Sequence, residues 1–346
     1  MSLLNLLKKK TFITLFTTPT HNQRFFILSK FRQFYKYDIS ETDTHNPQKA
    51  LDLAEKKASK IYKTQKTHFL TNGSTSGIIS AVLTCVNKND KVLIWKDSHI
   101  CHKNAVELAG AEPIFYETEY DEKFGIPKAV NINYIKSLIK QNKPKALIIT
   151  TPTYEGIVSD VKELKKICTE TNTYLIADEA HGALYPFSDK LPQSSVNIAD
   201  FTIQSLHKTA GGLNPTALLH NNTNLDSSKA LNKINTSSPS YPLLASIEKN
   251  INYLNSSKGK KLLNELIENI KNLKNNCPNI DFCNTDDITK IVIKANNLSG
   301  FELSEKLYNE FKIEDEKAND KSILLLTGIG TTKQKLLKLQ QALKKF

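Results

Sequence analysis

Arginine is almost missing from this sequence: of 346 residues, only Arg24 and Arg32 carry a guanidinium. The formal net charge is nevertheless +12, so the basic excess is lysine, dispersed along the chain with only short runs such as Lys258-Gly-Lys-Lys261. Surfaces that read phosphate backbones lean on the arginine fork for bidentate contact. The composition therefore argues for a solvated basic surface and against a nucleic-acid partner, while leaving room for anionic small ligands. Long hydrophobic runs are missing too, and none approaches the roughly 20 residues that a membrane-spanning helix needs. Near the N-terminus, Lys8, Lys9 and Lys10 precede Thr11-Phe-Ile-Thr-Leu-Phe16, but that stretch is short and broken by threonine. Pro19 and His21 follow it in place of a small-residue cleavage pattern, so no secretion signal is expected and the cytoplasm is the expected location. The five cysteines, Cys85, Cys101, Cys168, Cys277 and Cys283, are odd in number and show no C-x-x-C spacing. A disulfide framework and a metal site are both disfavoured, and reduced thiols fit best. Cys101 adjoins His102, but adjacent residues seldom meet as nucleophile and base, and no third partner is evident.

What is present is an ordinary globular composition, 39% hydrophobic and 24% charged, at a length that suits one large domain and a smaller one. Apolar runs predict strands over 67–70, 91–95, 113–116, 146–150, 173–177, 200–204 and 216–220. Amphipathic stretches predict helices between them over 78–86, 99–109, 130–140 and 161–169. Strands alternating with helices imply βαβ units, hence an α/β fold with a mostly parallel sheet and helices on both faces. After residue 222 the texture changes. A polar, turn-rich stretch over 221–235 leads into helices over 240–254 and 260–273, then a strand (290–293), a helix (303–311), a strand (323–326) and a helix (333–343). The expected organisation is an N-terminal arm (1–45), a large domain (46–255) and a small C-terminal α+β domain (256–346).

Ligands of such sheets bind at the carboxyl ends of the strands, so the residues there carry the chemistry. Asn72-Gly-Ser-Thr-Ser-Gly77 follows the first strand and opens a helix, a phosphate-binding pattern that is also a commonplace turn. His99-Ile-Cys-His102-Lys103 follows the strand at 91–95. Asp178 ends the strand at 173–177; a carboxylate there either caps a following helix or answers a buried cation such as a protonated pyridine nitrogen. Lys208, in Ser205-Leu-His-Lys208, follows the strand at 200–204, a position from which a lysine can form a Schiff base.

Together, Thr71-Asn-Gly-Ser-Thr-Ser-Gly77, His102-Lys103, Pro152-Thr-Tyr154, Asp178-Glu-Ala-His-Gly182 and Ser205-Leu-His-Lys208 resemble, in order and spacing, the ornithine/lysine/arginine decarboxylases of fold type I. Further matches are Thr18-Pro19 with His21, the stretch 38–41 ahead of Pro47, Thr236-Ser-Ser-Pro-Ser-Tyr241, Asp287-Ile-Thr-Lys290 and Leu298-Ser-Gly300, so the resemblance covers roughly 18–345. It implies pyridoxal phosphate as cofactor, bound as a Schiff base to Lys208. It also implies that Asp178 pairs with the pyridine nitrogen, His102 stacks on the ring, His181 lies beside the reacting bonds, and Ser74, Thr75, Ser205 and His207 hold the phosphate. Thr236 and Ser237 would serve the site across a homodimer interface.

There are departures from the pattern. Members generally carry a further C-terminal domain, which helps shape the substrate entrance, beyond a helix like that at 333–343; this sequence stops at Phe346. Glu155 stands where a second tyrosine is usual, and Pro19-Thr20-His21-Asn22 replaces Pro-Gly-His-Lys. The expected activity is decarboxylation of lysine, ornithine or arginine to an amine, a reaction of polyamine biosynthesis, with Glu155 and Glu316 as carboxylates for a cationic side chain. Another reaction of the same scaffold (transamination, aldol cleavage or C–S lysis) and a cofactor-binding protein with reduced catalysis are the alternatives.

Overall fold

In the computed structural model the described residues are 14–16, 47–237, 239–295 and 297–346. The expected arm (1–45) lies outside them except for 14–16, as do Thr18, Pro19, His21 and the stretch 38–41.

A short strand β1 (Thr14–Leu15) precedes α1 (Pro47–Tyr62). The alternation then runs β2 (Lys66–Leu70), α2 (Gly73–Cys85), β3 (Lys91–Trp95), α3 (Ile100–Leu108), β4 (Glu112–Tyr116), β5 (Tyr120–Asp121), β6 (Ile126–Pro127), α4 (Ile132–Asn142), β7 (Ala146–Thr150), α5 (Val161–Glu170), β8 (Tyr174–Asp178), β9 (Phe201–Ser205) and β10 (Ala217–Asn221). The remainder is α6 (Ser228–Ile234), α7 (Tyr241–Leu254), α8 (Ser257–Asn275), β11 (Ile280–Phe282), β12 (Lys290–Ala295), α9 (Gly300–Phe311), β13 (Ile313–Glu314), β14 (Lys317–Ala318), β15 (Ile323–Leu326) and α10 (Lys333–Leu343).

Seven strands form the main sheet in the order β2-β10-β9-β8-β7-β3-β4. The pairs β9–β8, β8–β7, β7–β3 and β3–β4 are parallel, and β10 runs antiparallel to both its neighbours. Alternate strand residues face opposite helical layers, as the two-residue period requires. Val92, Ile94, Ile148 and Ile176 pack with α2 and α3, whereas Leu93, Trp95, Leu147 and Leu175 pack with α4 and α5. Burial on both faces is why these strands read as continuous apolar runs and not as alternating ones.

A second, antiparallel sheet has the order β11-β12-β15-β14. One face, with Ile291, Ile293 and Leu325, joins α7, α8 and α10 in the largest core cluster. The other face carries Val292 and Leu324 against Phe124 and Ile126 of the β5–β6 hairpin, with Tyr154 alongside. Each of those side chains contributes about 1.5–3 kcal/mol by leaving water. That packing brings β14 to the carboxyl ends of the main sheet.

The sheets are also tied by hydrogen bonds to a fully buried ion pair at the start of β12. Lys290 Nζ donates to Asp287 Oδ2 at 2.7 Å and to the His181 carbonyl at 3.1 Å, and the Tyr185 hydroxyl donates to the same Oδ2 at 3.0 Å. Removing one partner of such a pair costs about 3–5 kcal/mol, because the other charge is left buried alone.

Two sequence expectations need correction. The helix expected from 78 begins at Gly73, so the Gly/Ser/Thr segment forms its first turns. Low helix propensity hides that start, and tertiary packing overrides it: a Cβ on Gly77 would sit 2.8 Å from Leu70 and 2.9 Å from Ile203, so only glycine allows the helix this close to the sheet. The polar stretch at 221–235 also contains a helix, α6, which seats Ala230 and Leu231 against the body of the protein. No helix among the described residues is long and apolar enough to cross a membrane.

Candidate active site

From β3 the chain steps to β4 on one side, and from β7 to β8, β9 and β10 on the other, so the order reverses between β3 and β7. A crevice opens outside the carboxyl ends at such a reversal. A cavity of about 550 Å³ lies there, lined by residues that follow β2, β3, β7, β8 and β9, together with the β5–β6 hairpin and Lys317.

The floor of the cavity is built around Asp178, the last residue of β8. Its Oδ2 lies 2.8 Å from His102 Nε2, and its Oδ1 accepts the Ala180 N–H at 3.1 Å. Burial alone would raise this carboxyl's pKa, but the His102 hydrogen bond and the nearby Lys208 charge hold it below its ordinary value. Lys208 Nζ lies 2.9 Å from His181 Nε2. Burial lowers the Lys208 pKa against the opposing pull of Asp178. Burial and the Lys208 charge push His181 well below its usual range, so the imidazole is neutral. When Lys208 is an ammonium it has only donors to offer, which puts the His181 proton on Nδ1; that atom is buried without a partner among the described residues. The Tyr154 ring lies over His181, centroids 4.1 Å apart.

At one side of the floor, α2 begins with Ser74 and Thr75 lining the cavity and no side chain capping its first turn. Gly73 permits this start with a φ of 75°, its N–H held by the Pro215 carbonyl at 2.8 Å. His207 lines the same region and bonds the Thr216 carbonyl through Nδ1 at 3.1 Å.

Behind the floor a polar chain crosses the sheet. Thr67 Oγ1 lies 2.9 Å from His220 Nδ1, His220 Nε2 lies 3.3 Å from Gln204 Oε1, and Gln204 Nε2 donates to Glu179 Oε1 at 2.7 Å. Burial pushes the Glu179 carboxyl up to about 7 against the donors Ser194, Ser195 and Gln204.

The mouth is different in kind. Glu155 accepts from Lys317 Nζ at 2.8 Å, the Tyr154 hydroxyl donates to Glu316 Oε1 at 3.0 Å, and the Tyr120 hydroxyl donates to Asp97 Oδ2 at 3.0 Å.

Of the residues singled out in the sequence, Ser74, Thr75, Glu155, Asp178, His181, His207 and Lys208 line this one cavity. Glu316 reaches it through Tyr154. His102 does not line it: the side chain is fully buried beneath Asp178, because it lies one turn into α3 on the inward face, and His99 at the helix start takes the exposed position. Ser205 is likewise fully buried, its Oγ without a partner among the described residues. Thr236 and Ser237 do not line the cavity either. The Cys101 thiol lines it, but burial pushes its pKa up to about 12, and His102 is turned toward Asp178, so the two make no nucleophilic pair. Asp97, His99, Tyr120 and Lys317 are additions. His99 could have been found from its place after β3, but nothing in the pattern marked Lys317.

Comparison with solved structures finds the same fold in decarboxylases and aminotransferases. The constitutive lysine decarboxylase of E. coli superposes with a TM-score of 0.77 at 19% identity, over 92% of this chain and 55% of that one. The ureidoglycine–glyoxylate aminotransferase of Bacillus subtilis gives 0.75 at 12% identity, over 96% and 92%. The family description "Orn/Lys/Arg decarboxylase, major domain" matches residues 16–298, and the chain belongs to that family. Among curated relatives, an arginine decarboxylase of Bacillus anthracis is 29% identical over 311 residues, 84% of this chain and 63% of that protein. The uncharacterized protein YaaO of Bacillus subtilis (strain 168) is 29% identical over 308 residues, 83% and 63%. The chain thus spans less than two thirds of the length of these relatives.

Proposed function

We propose that this chain binds pyridoxal phosphate through Lys208 and decarboxylates a basic amino acid, lysine, ornithine or arginine, to the amine and CO2. The observation that carries the reading is the floor itself, where Asp178, held ionised by His102, and Lys208, paired with His181, converge at the sheet's reversal point. The residues fit the cofactor. Ser74, Thr75 and the uncapped start of α2 would hold its phosphate, with His207 beside them. The unpartnered Ser205 hydroxyl ends β9, two residues before His207. Asp178 would keep a proton on the ring nitrogen. When bound, pyridoxal phosphate supplies a cationic ring that accepts the electrons of a bond breaking at the substrate Cα.

The chain's own share is proton handling and orientation. The depressed pKa of Lys208 gives its ε-amine a neutral fraction able to act as nucleophile, and its protonated form could later be the acid that protonates Cα. His181, kept neutral, can shuttle that proton through Nε2. Tyr154 covers His181 and limits water at the reacting carbon. A homodimer in the cytoplasm belongs to the same reading and rests on the family resemblance.

One observation favours decarboxylation of a cationic substrate. Asp97, Glu155 and Asp178 line the cavity against Lys208 and Lys317, a local negative balance opposite to the chain's overall +12. Transamination is the second reading, because the aminotransferase superposes over nearly the full length of both chains. Incubating the protein with pyridoxal phosphate and a panel of amino acids separates the two. CO2 and amine from a basic amino acid are expected, whereas keto acid without CO2 would establish the second reading. Borohydride should fix the cofactor on Lys208 in a peptide map, and Lys208→Ala should abolish both label and turnover.

A further inference from the structure

We propose that Lys317 is an internal stand-in for the substrate's distal cation, closing the Glu155 subsite until a basic amino acid displaces it. The inference rests on the basic-substrate reading above. The two partners of the Glu155–Lys317 pair are unequal: the glutamate side chain is 4% exposed and the lysine 52%. The carboxylate cannot turn to water and must keep a cation beside it, whereas the ammonium can swing into solvent at little cost.

The glutamate is also fixed from behind. Gly156 has a φ of 92°, and a Cβ there would sit 2.7 Å from the Lys290 side chain, itself locked in the buried pair with Asp287. The movable partner sits on β14, a two-residue strand that among the described residues pairs only with β15, at the edge of the small sheet. Tyr154 links this subsite to the floor, with Lys208 Nζ 5.5 Å and Lys317 Nζ 5.9 Å from its ring centroid. A basic amino acid presenting its α-amine to Lys208 and its distal cation to Glu155 would lay its methylenes along that ring. Exchanging one cation for another leaves the buried carboxylate paired. A neutral side chain offers no such exchange, so the device selects for charge.

The test compares holoenzyme of wild type, Lys317→Met and Lys317→Arg. Calorimetric binding of diaminopentane and of pentylamine reads the subsite without turnover, and KM and kcat for lysine, ornithine and arginine read it with turnover. Removing the competing ammonium should tighten diaminopentane binding and lower KM about fivefold, the scale of a weak surface ion pair. Pentylamine binding should not tighten, kcat should move less than KM, and Lys317→Arg should stay near wild type. Diaminopentane binding that weakens or stays unchanged in Lys317→Met would overturn the inference and leave Lys317 as a substrate-carboxylate ligand or a bystander. Absence of CO2 from wild type would instead sink the decarboxylase reading, while the diamine measurement still decides the role of Lys317.

Discussion

The floor and the mouth of the cavity come from different parts of the chain and are held by different physics. Asp178, His102, His181 and Lys208 stand at the ends of packed strands or on a helix against them; burial lowers the pKa of His181 and Lys208, while the His102 hydrogen bond and the Lys208 charge hold that of Asp178 down against burial. Glu155, Tyr154, Glu316, Lys317, Asp97 and Tyr120 sit on loops, a short hairpin and the edge of the second sheet, and pair across long sequence separations. A floor of that kind can serve many reactions, because cofactor binding asks the same of all of them. In the proposed function the mouth would select the substrate, and it can be remodelled without disturbing a core strand.

Substitutions can set the two regions against each other. The largest effect is expected at the floor: Asp178→Asn should lower kcat by about 100- to 1000-fold while KM changes little, since the charge acts on the reacting system and not on substrate entry. A comparable fall in binding with kcat intact would mean that floor and mouth are not separable. At the mouth, Glu155→Gln should raise KM for a basic amino acid about tenfold with the bound cofactor's spectrum unchanged, the loss of one charge-assisted contact. An unaltered KM would remove Glu155 from substrate recognition. The smallest effect on turnover is expected behind the floor, where the change is one of stability. Burial drops the His220 pKa from 6.5 to about 3. A folded-state pKa below the unfolded one means that the stability from keeping His220 neutral is present above 6.5 and is lost as pH falls toward 3. The stability lost between about pH 7 and about pH 4 should therefore be about 3 kcal/mol smaller in His220→Gln than in wild type by urea titration. Equal losses would show that other groups, such as His181 and His207, carry the acid sensitivity.

The same division explains what could be read from the sequence. Strands at 91–95, 146–150 and 323–326 and the helix at 333–343 are legible because unbroken apolar runs and a clear helical period admit one interpretation. The strand ends then point to Asp178 and Lys208 by position alone. The start of α2 was hidden, since glycine, serine and threonine favour turns unless a sheet surface overrides them. His99 and His102 could not be told apart without knowing which face of α3 turns inward. β5, β6, β13 and β14 are two residues long, too short for any period, and Lys317 lies on one of them. The residues of the mouth were thus the least legible, because their meeting depends on how two sheets dock and not on any local pattern.

That docking has a consequence for how the protein breathes. Lys290 leaves its own sheet to donate to the His181 carbonyl, the peptide next to the residue paired with Lys208. Separating the sheets would leave the buried His181 carbonyl and Tyr185 hydroxyl without these partners. The amides of β12 and those of the His181 loop should therefore exchange with deuterium through one shared opening event. The second sheet then works as a brace on the proposed proton-transfer geometry as well as a wall of the cavity, and weakening it at Asp287 or Lys290 should loosen the cavity floor before it unfolds the chain.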